Sequence, residues 1–157
     1  MAQGNDASSL LKEFYALQEE RVKVYQDLDK GHADYLQTAP NYNFVAYRQV
    51  VHNCTEEFNR ISNRIIEIEK VFKDELGKSN LAGFIRNVQD GEKEKLELTA
   101  DLQLAKQKVI DEPSSEEHPA ELADIKQRMS TVVDKITSYL DDLKYEAEDL
   151  LSEASDR

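Results

Sequence analysis

The chain has 157 residues, a third of them charged, with few Gly or Pro, no Trp and a formal net charge of −12. That length suits one domain with a real core, and the composition fits long helices rather than sheet. An acidic surface repels phosphate backbones, which argues against direct nucleic-acid binding, and no stretch approaches the roughly 18 apolar residues of a membrane span.

The charge is uneven: residues 113–157 carry twelve acidic against five basic side chains, whereas residues 41–78 balance at six of each. One cysteine, Cys54, excludes an intramolecular disulfide and fits a reducing compartment. Residues 1–9 hold no basic run followed by an apolar run, so no secretory signal is expected and the setting reads as intracellular and soluble. The sequon Asn53-Cys54-Thr55 lies mid-helix in such a chain and is discounted.

Residues 1–8 read as a disordered lead-in. From Ser9 a first helix carries Leu10, Phe14, Leu17, Val24, Leu28 and Tyr35 at heptad spacing, with Arg21 and Gly31 as faults. A second stripe, Leu11, Tyr15, Val22, Tyr25, His32 and Leu36, lies beside it; two stripes make a face wide enough for more than one neighbour. The helix must stop before Pro40, because the residue preceding proline is pushed out of helical geometry. Asn43 is placed to cap the second helix, and Tyr42 to pack on Tyr47 as a hydrophobic staple. Then comes the longest stripe, Phe44, Tyr47, Val51, Cys54, Phe58, Ile61, Ile65, Ile68 and Phe72 in strict 3-4 alternation. Gly77 reads as its stop signal.

Ser79 or Asn80 would cap a third run with Leu81, Phe84, Ile85, Val88, Leu98, Leu102, Ala105 and Val109. Asp90-Gly91 is expected to interrupt it, and Gly83 adds a propensity cost of roughly 1 kcal/mol. Residues 113–119 form an acidic linker ending in Pro119, which suits the first turn of a helix. The acidic fourth helix, residues 120–157, carries Leu122, Ile125, Met129, Val132, Ile136, Tyr139, Leu143, Ala147, Leu150 and Ala154, and either docks on the core or extends from it. The expected fold is all-α: an elongated antiparallel bundle or coiled coil of three to four long helices, with residues 9–112 as a three-helix core.

The inventory for chemistry is thin. There is no Glu-x-x-His, CxxC, HExxH, Walker-type loop or GxGxxG, and the nearest metal-like pattern, Asp29-Lys30-Gly31-His32, occurs once. No catalytic, cofactor-binding or metal-ligating residue is singled out, and no cofactor is expected. His32 falls on an apolar stripe and reads as a satisfied, partly buried histidine; His52 reads as solvent-facing and His118 as a linker residue. Cys54 occupies a core position, where free cysteine behaves as a small apolar residue. The partner-binding candidates are Tyr42, Arg48, Arg60 and Arg64. Arg60 and Arg64 lie one turn apart on the second helix, but Glu56, Glu57 and Glu67 interleave, so intrahelical pairing on a solvated face competes with a binding role. Tyr42 belongs to an aromatic cluster with Tyr35, Phe44 and Tyr47, which suits a recognition corner or the closed end of a bundle. The acidic run at residues 141–153 suits a basic partner or a solvated helix end.

Three stretches carry a family resemblance. They are residues 10–22 (Leu10 to Val22 in the first helix), then Tyr47-Arg48-Gln49-Val50-Val51-His52, then Glu92-Lys93-Glu94-Lys95-Leu96 with Leu102-Gln103-Leu104-Ala105. In this order, with Tyr35-Leu36 and Pro40-Asn41-Tyr42 at the first turn, the chain resembles the "required for excision" B-domain family over roughly residues 10–112. The resemblance implies a small helical accessory factor in DNA excision repair, nuclear if so, and supplies no catalytic residues. The function expected is a non-catalytic adaptor meeting protein partners of unknown identity. The alternatives are a structural coiled-coil subunit of a cytoskeletal, ciliary or trafficking assembly and, third, an enzyme with a bundle-core site.

Overall fold

The computed structural model describes residues 6–155, with side chains described to residue 150. Among the described residues there are four helices and no strand: α1 (Ala7–Leu36), α2 (Phe44–Asp74), α3 (Ser79–Asp111) and α4 (Glu117–Ser155). The lead-in expected for residues 1–8 is shortened, because helix begins at Ala7; residues 1–5 lie outside the described residues. The fold is all-α, an antiparallel helical bundle as the periodicity predicts.

Pairings fix the directions. Arg64 meets Glu13 and Arg60 meets Glu20, so α2 runs against α1. Lys108 meets Glu121 and Lys135 meets Glu94, so α4 runs back along α3, and the question of its docking is answered by contact along that helix. α1 and α2 form one intimate pair, α3 and α4 the other, and the two pairs meet more loosely through α2 and α3.

The bundle is unevenly filled. Where α1 starts and α2 ends, Leu10, Leu11, Phe14, Ile61, Ile65, Ile68 and Phe72 have almost no exposed surface, and Ile85, Val88 and Leu143 join them. Burying side chains of this size contributes about 1.5–3 kcal/mol each, so this end holds the fold together. At the other end the long stripe of α2 leaves the core. Phe44 is 52% exposed, against the sequence expectation, and Leu104 on α3 is 60% exposed. Val22, assigned to the second stripe of α1, is also 51% exposed.

The helix ends follow local chemistry with one exception. Asn43 caps α2, its side chain accepting from the Ala46 amide, and Gly77 adopts φ +63°, a left-handed turn that glycine takes without steric cost. Neither Ser79 nor Asn80 caps α3; Lys78 holds that position and makes no side-chain cap bond. The linker is also shorter than expected, since α4 begins at Glu117 and takes His118 and Pro119 into its first turn.

Asp90-Gly91 does not interrupt α3, which is continuous for 33 residues. A Cβ on Gly91 would lie 2.7 Å from Ile136 Cγ1 of α4, so the missing side chain is what lets the two helices close. Gly31, a fault in the stripe of α1, is explained likewise: a Cβ there would lie 2.5 Å from Val50 Cγ1 of α2. Around Gly83 nothing lies within 4 Å of such an atom. Gly91→Ala is therefore expected to lower stability by about 1–3 kcal/mol through overpacking. Gly83→Ala should raise it by about 0.5–1 kcal/mol through helix propensity. Urea unfolding of the two variants checks both signs.

Candidate functional site

At the open end the chain turns from α1 into α2 around a set of rings. Tyr35 stacks on Tyr42 and on Tyr47 with centroids 4.7 and 4.6 Å apart, so Tyr42 packs on Tyr35 and not, as the staple reading has it, on Tyr47. His32 lies against Tyr35 and Tyr47. Thr38 ties the turn, donating to the Tyr35 carbonyl and accepting from the Asn43 amide. The Tyr42 hydroxyl donates to Asp111 at 2.5 Å, which fastens the turn to the end of α3 and pushes the phenol up to about 12.

From this corner a groove runs between α2 and α3. Its lips are Phe44 and Leu104, and its floor includes Leu28, His32, Cys54, Phe58 and Thr99, all buried. The Arg48 guanidinium sits 5.0 Å above the Phe44 ring, a cation–π contact at the mouth. Cys54 Sγ donates weakly to the Val24 carbonyl at 3.9 Å, and burial, with Asp27 adding to it, pushes the thiol up and away from thiolate reactivity. His32 is 4% exposed, and its pKa is lowered by burial and then by Lys106, with no hydrogen bond contributing. It is buried against the Tyr35 and Tyr47 rings, as its stripe position implies.

The four candidate partner residues are not brought together. Tyr42 and Arg48 stand at the open end. Arg60 and Arg64 lie further along α2 and are used within the fold. Arg64 grips Glu13 of α1 with two bonds of 2.5 and 2.7 Å and also meets Glu67; Arg60 bridges Glu20 and Glu57. The pairing is thus between helices as well as within α2. Arg64 holds the Glu13 carboxyl below its ordinary value. These groups remain a third to a half exposed, so solvent screening keeps each pair at about 1 kcal/mol or less.

Sequence reasoning missed a polar layer in the middle of the bundle. Arg21, a fault in the α1 stripe, is 2% exposed and donates to Gln89 of α3 at 2.6 Å, with Glu92 at 3.7 Å; Gln18 donates to the same Glu92 carboxylate. The signal was present, since an arginine at an apolar heptad position requires a buried partner, but the partner on α3 lies 71 positions away. His52 faces solvent beside Glu56, and His118 approaches Glu112. Among the described residues no three His, Cys, Asp or Glu side chains gather at metal-binding range, and no helix is long and apolar enough to cross a membrane.

The family model described as DNA repair REX1-B matches residues 9–106. The chain belongs to that family. The match covers α1, α2 and most of α3, the elements that build the corner and the groove. Two curated relatives, from Bos taurus and Mus musculus, are both called "Required for excision 1-B domain-containing protein". The bovine protein is 29% identical over 139 residues, covering 88% of this chain and 76% of its own. The mouse protein is 30% identical over 142 residues, covering 90% and 81%. Such spans exceed what lies outside α4, so the likeness reaches into the fourth helix. No solved structure matches at a significant level.

Two measurements probe this region. Arg21→Met strands Glu92 in the interior and should cost about 3–5 kcal/mol, whereas Arg21→Met with Glu92→Met should recover to within about 1 kcal/mol of the parent in urea unfolding. The buried His32 ring binds its proton less readily than in the unfolded chain, whose ordinary value is 6.5. The unfolded state therefore binds more protons just below that pH, and stability conferred by the neutral ring is complete above pH 6.5 and lost as pH falls below it. The urea midpoint should drop between pH 7 and 5.5, and His32→Phe should flatten that slope.

Proposed function

We propose that this protein is a non-catalytic helical adaptor in DNA excision repair, docking partner proteins across the groove between α2 and α3. The observation that carries this reading is the pair of apolar lips on the groove, Phe44 and Leu104, each more than half exposed on an otherwise charged and acidic chain. Exposed apolar residues that flank a groove favour protein contact, and the neighbouring Arg48 and Tyr42 are residue types enriched in such interfaces. The process comes from the family description and from the name shared by the bovine and mouse relatives.

Direct DNA binding is not part of the proposal. The net charge of −12 opposes it, and Arg60 and Arg64 already spend their bonds on Glu13, Glu20, Glu57 and Glu67. A self-sufficient spacer in a cytoskeletal, ciliary or trafficking assembly has no use for an open apolar mouth, and for that reason it ranks second.

The test is affinity purification of the full chain from cells beside Phe44→Asp and Leu104→Asp, both at exposed positions. Excision-repair proteins should co-purify with the parent and fall at least tenfold with either variant, while helical content and thermal unfolding stay unchanged. Enrichment of axonemal or cytoskeletal proteins instead would favour the spacer reading. With a DNA duplex at about 0.15 M salt, no mobility shift is expected.

A further inference from the structure

Beneath the lips of the groove lies a pocket of about 450 Å³, inside the roughly 300–1,000 Å³ range of small-molecule sites. A third of the chain is charged, yet none of the sixteen residues lining this pocket is Asp, Glu, Lys or Arg. A charged ligand would lose its hydration there and find no counter-ion among the lining residues, so the walls select against it.

The hydrogen-bonding groups on those walls are left open. The Tyr47 hydroxyl donates to the Gln103 side-chain oxygen, which leaves Gln103 Nε2 buried with no acceptor. His32, over nine-tenths buried on the floor, lies against the rings of Tyr35 and Tyr47, and a neutral imidazole offers one N–H and one lone pair. Gln103 and His32 both line the space walled by Tyr35, Tyr47 and Phe58. Flat aromatic walls are matched by a flat body.

We propose that this pocket binds a small, uncharged, planar apolar molecule that presents one hydrogen-bond acceptor, such as a carbonyl oxygen, to Gln103 Nε2 and His32. The inference does not rest on the adaptor reading, because it concerns the isolated protein.

The experiment is an NMR titration of the full chain with three probes sharing one naphthalene body: 2-acetylnaphthalene, 2-isopropylnaphthalene and 2-naphthoate. The acetyl probe should saturate a single site and shift the His32 ring and the Cys54, Thr99 and Gln103 signals. The isopropyl probe, lacking the acceptor, should bind about tenfold more weakly, and the naphthoate more weakly still. Gln103→Leu should erase the preference for acetyl over isopropyl. Ala100→Phe, at an exposed position on the mouth, should abolish all binding without altering helical content or the unfolding midpoint. The proposal is overturned by the absence of saturable shifts, by naphthoate binding as well as the acetyl probe, or by shifts that survive Ala100→Phe. Concentration-dependent dimerisation abolished by Ala100→Phe would also overturn it, making the pocket an interface between copies.

Discussion

Two missing side chains govern how these helices space themselves. At Gly31 the backbone of α1 lies against Val50 of α2, and at Gly91 the backbone of α3 lies against Ile136 of α4. Helix axes normally keep 8–10 Å apart according to the side chains between them, and glycine contacts allow the short end of that range. Each glycine costs helix propensity, and each repays it by drawing one pair together. Once α1 is committed to α2 and α3 to α4, the seam between the pairs becomes the adjustable one. Isoleucine and phenylalanine fill it at one end; at the other it stays open, and the groove is the result.

Much of this was legible in the chain, for a physical reason. A 3-4 apolar stripe forces an amphipathic helix wherever it occurs, so four helices, their rough bounds and most core positions follow from periodicity. What periodicity does not carry is the separation of helix axes. Phe44 continues the stripe of α2 faultlessly, yet it is half exposed at the lip of the groove. Asp90-Gly91 has the composition of a break, because propensity measures a helix alone, whereas Gly91 is chosen by a contact 45 positions away. The aromatic corner was visible as a cluster of residue types, and the ring that organises it, Tyr35, only in three dimensions. The pocket was out of reach for the same cause: it is a property of the space between helices, not of any one of them.

The charges divide in a related way. Arg60 and Arg64 of α2 are turned back onto α1, where Glu20 and Glu13 neutralise them. The acidic excess collects on α4, on the far side of α3 from the groove. The chain thus presents one strongly anionic flank and, on another side, an opening with no charged residue in its lining.

The Arg21, Gln89 and Glu92 layer has a consequence for folding itself. Apolar stripes are tolerant of sliding: a helix displaced by one turn, about 5.4 Å, still puts leucine against isoleucine. A buried guanidinium has no such freedom. Shifted by a turn along α3, Arg21 would keep at most one of Gln89 and Glu92 and leave the other buried without it, an error far more costly than mismatched aliphatic packing. The layer acts as a vernier between α1 and α3, adding little to the depth of the native minimum while raising the neighbouring ones.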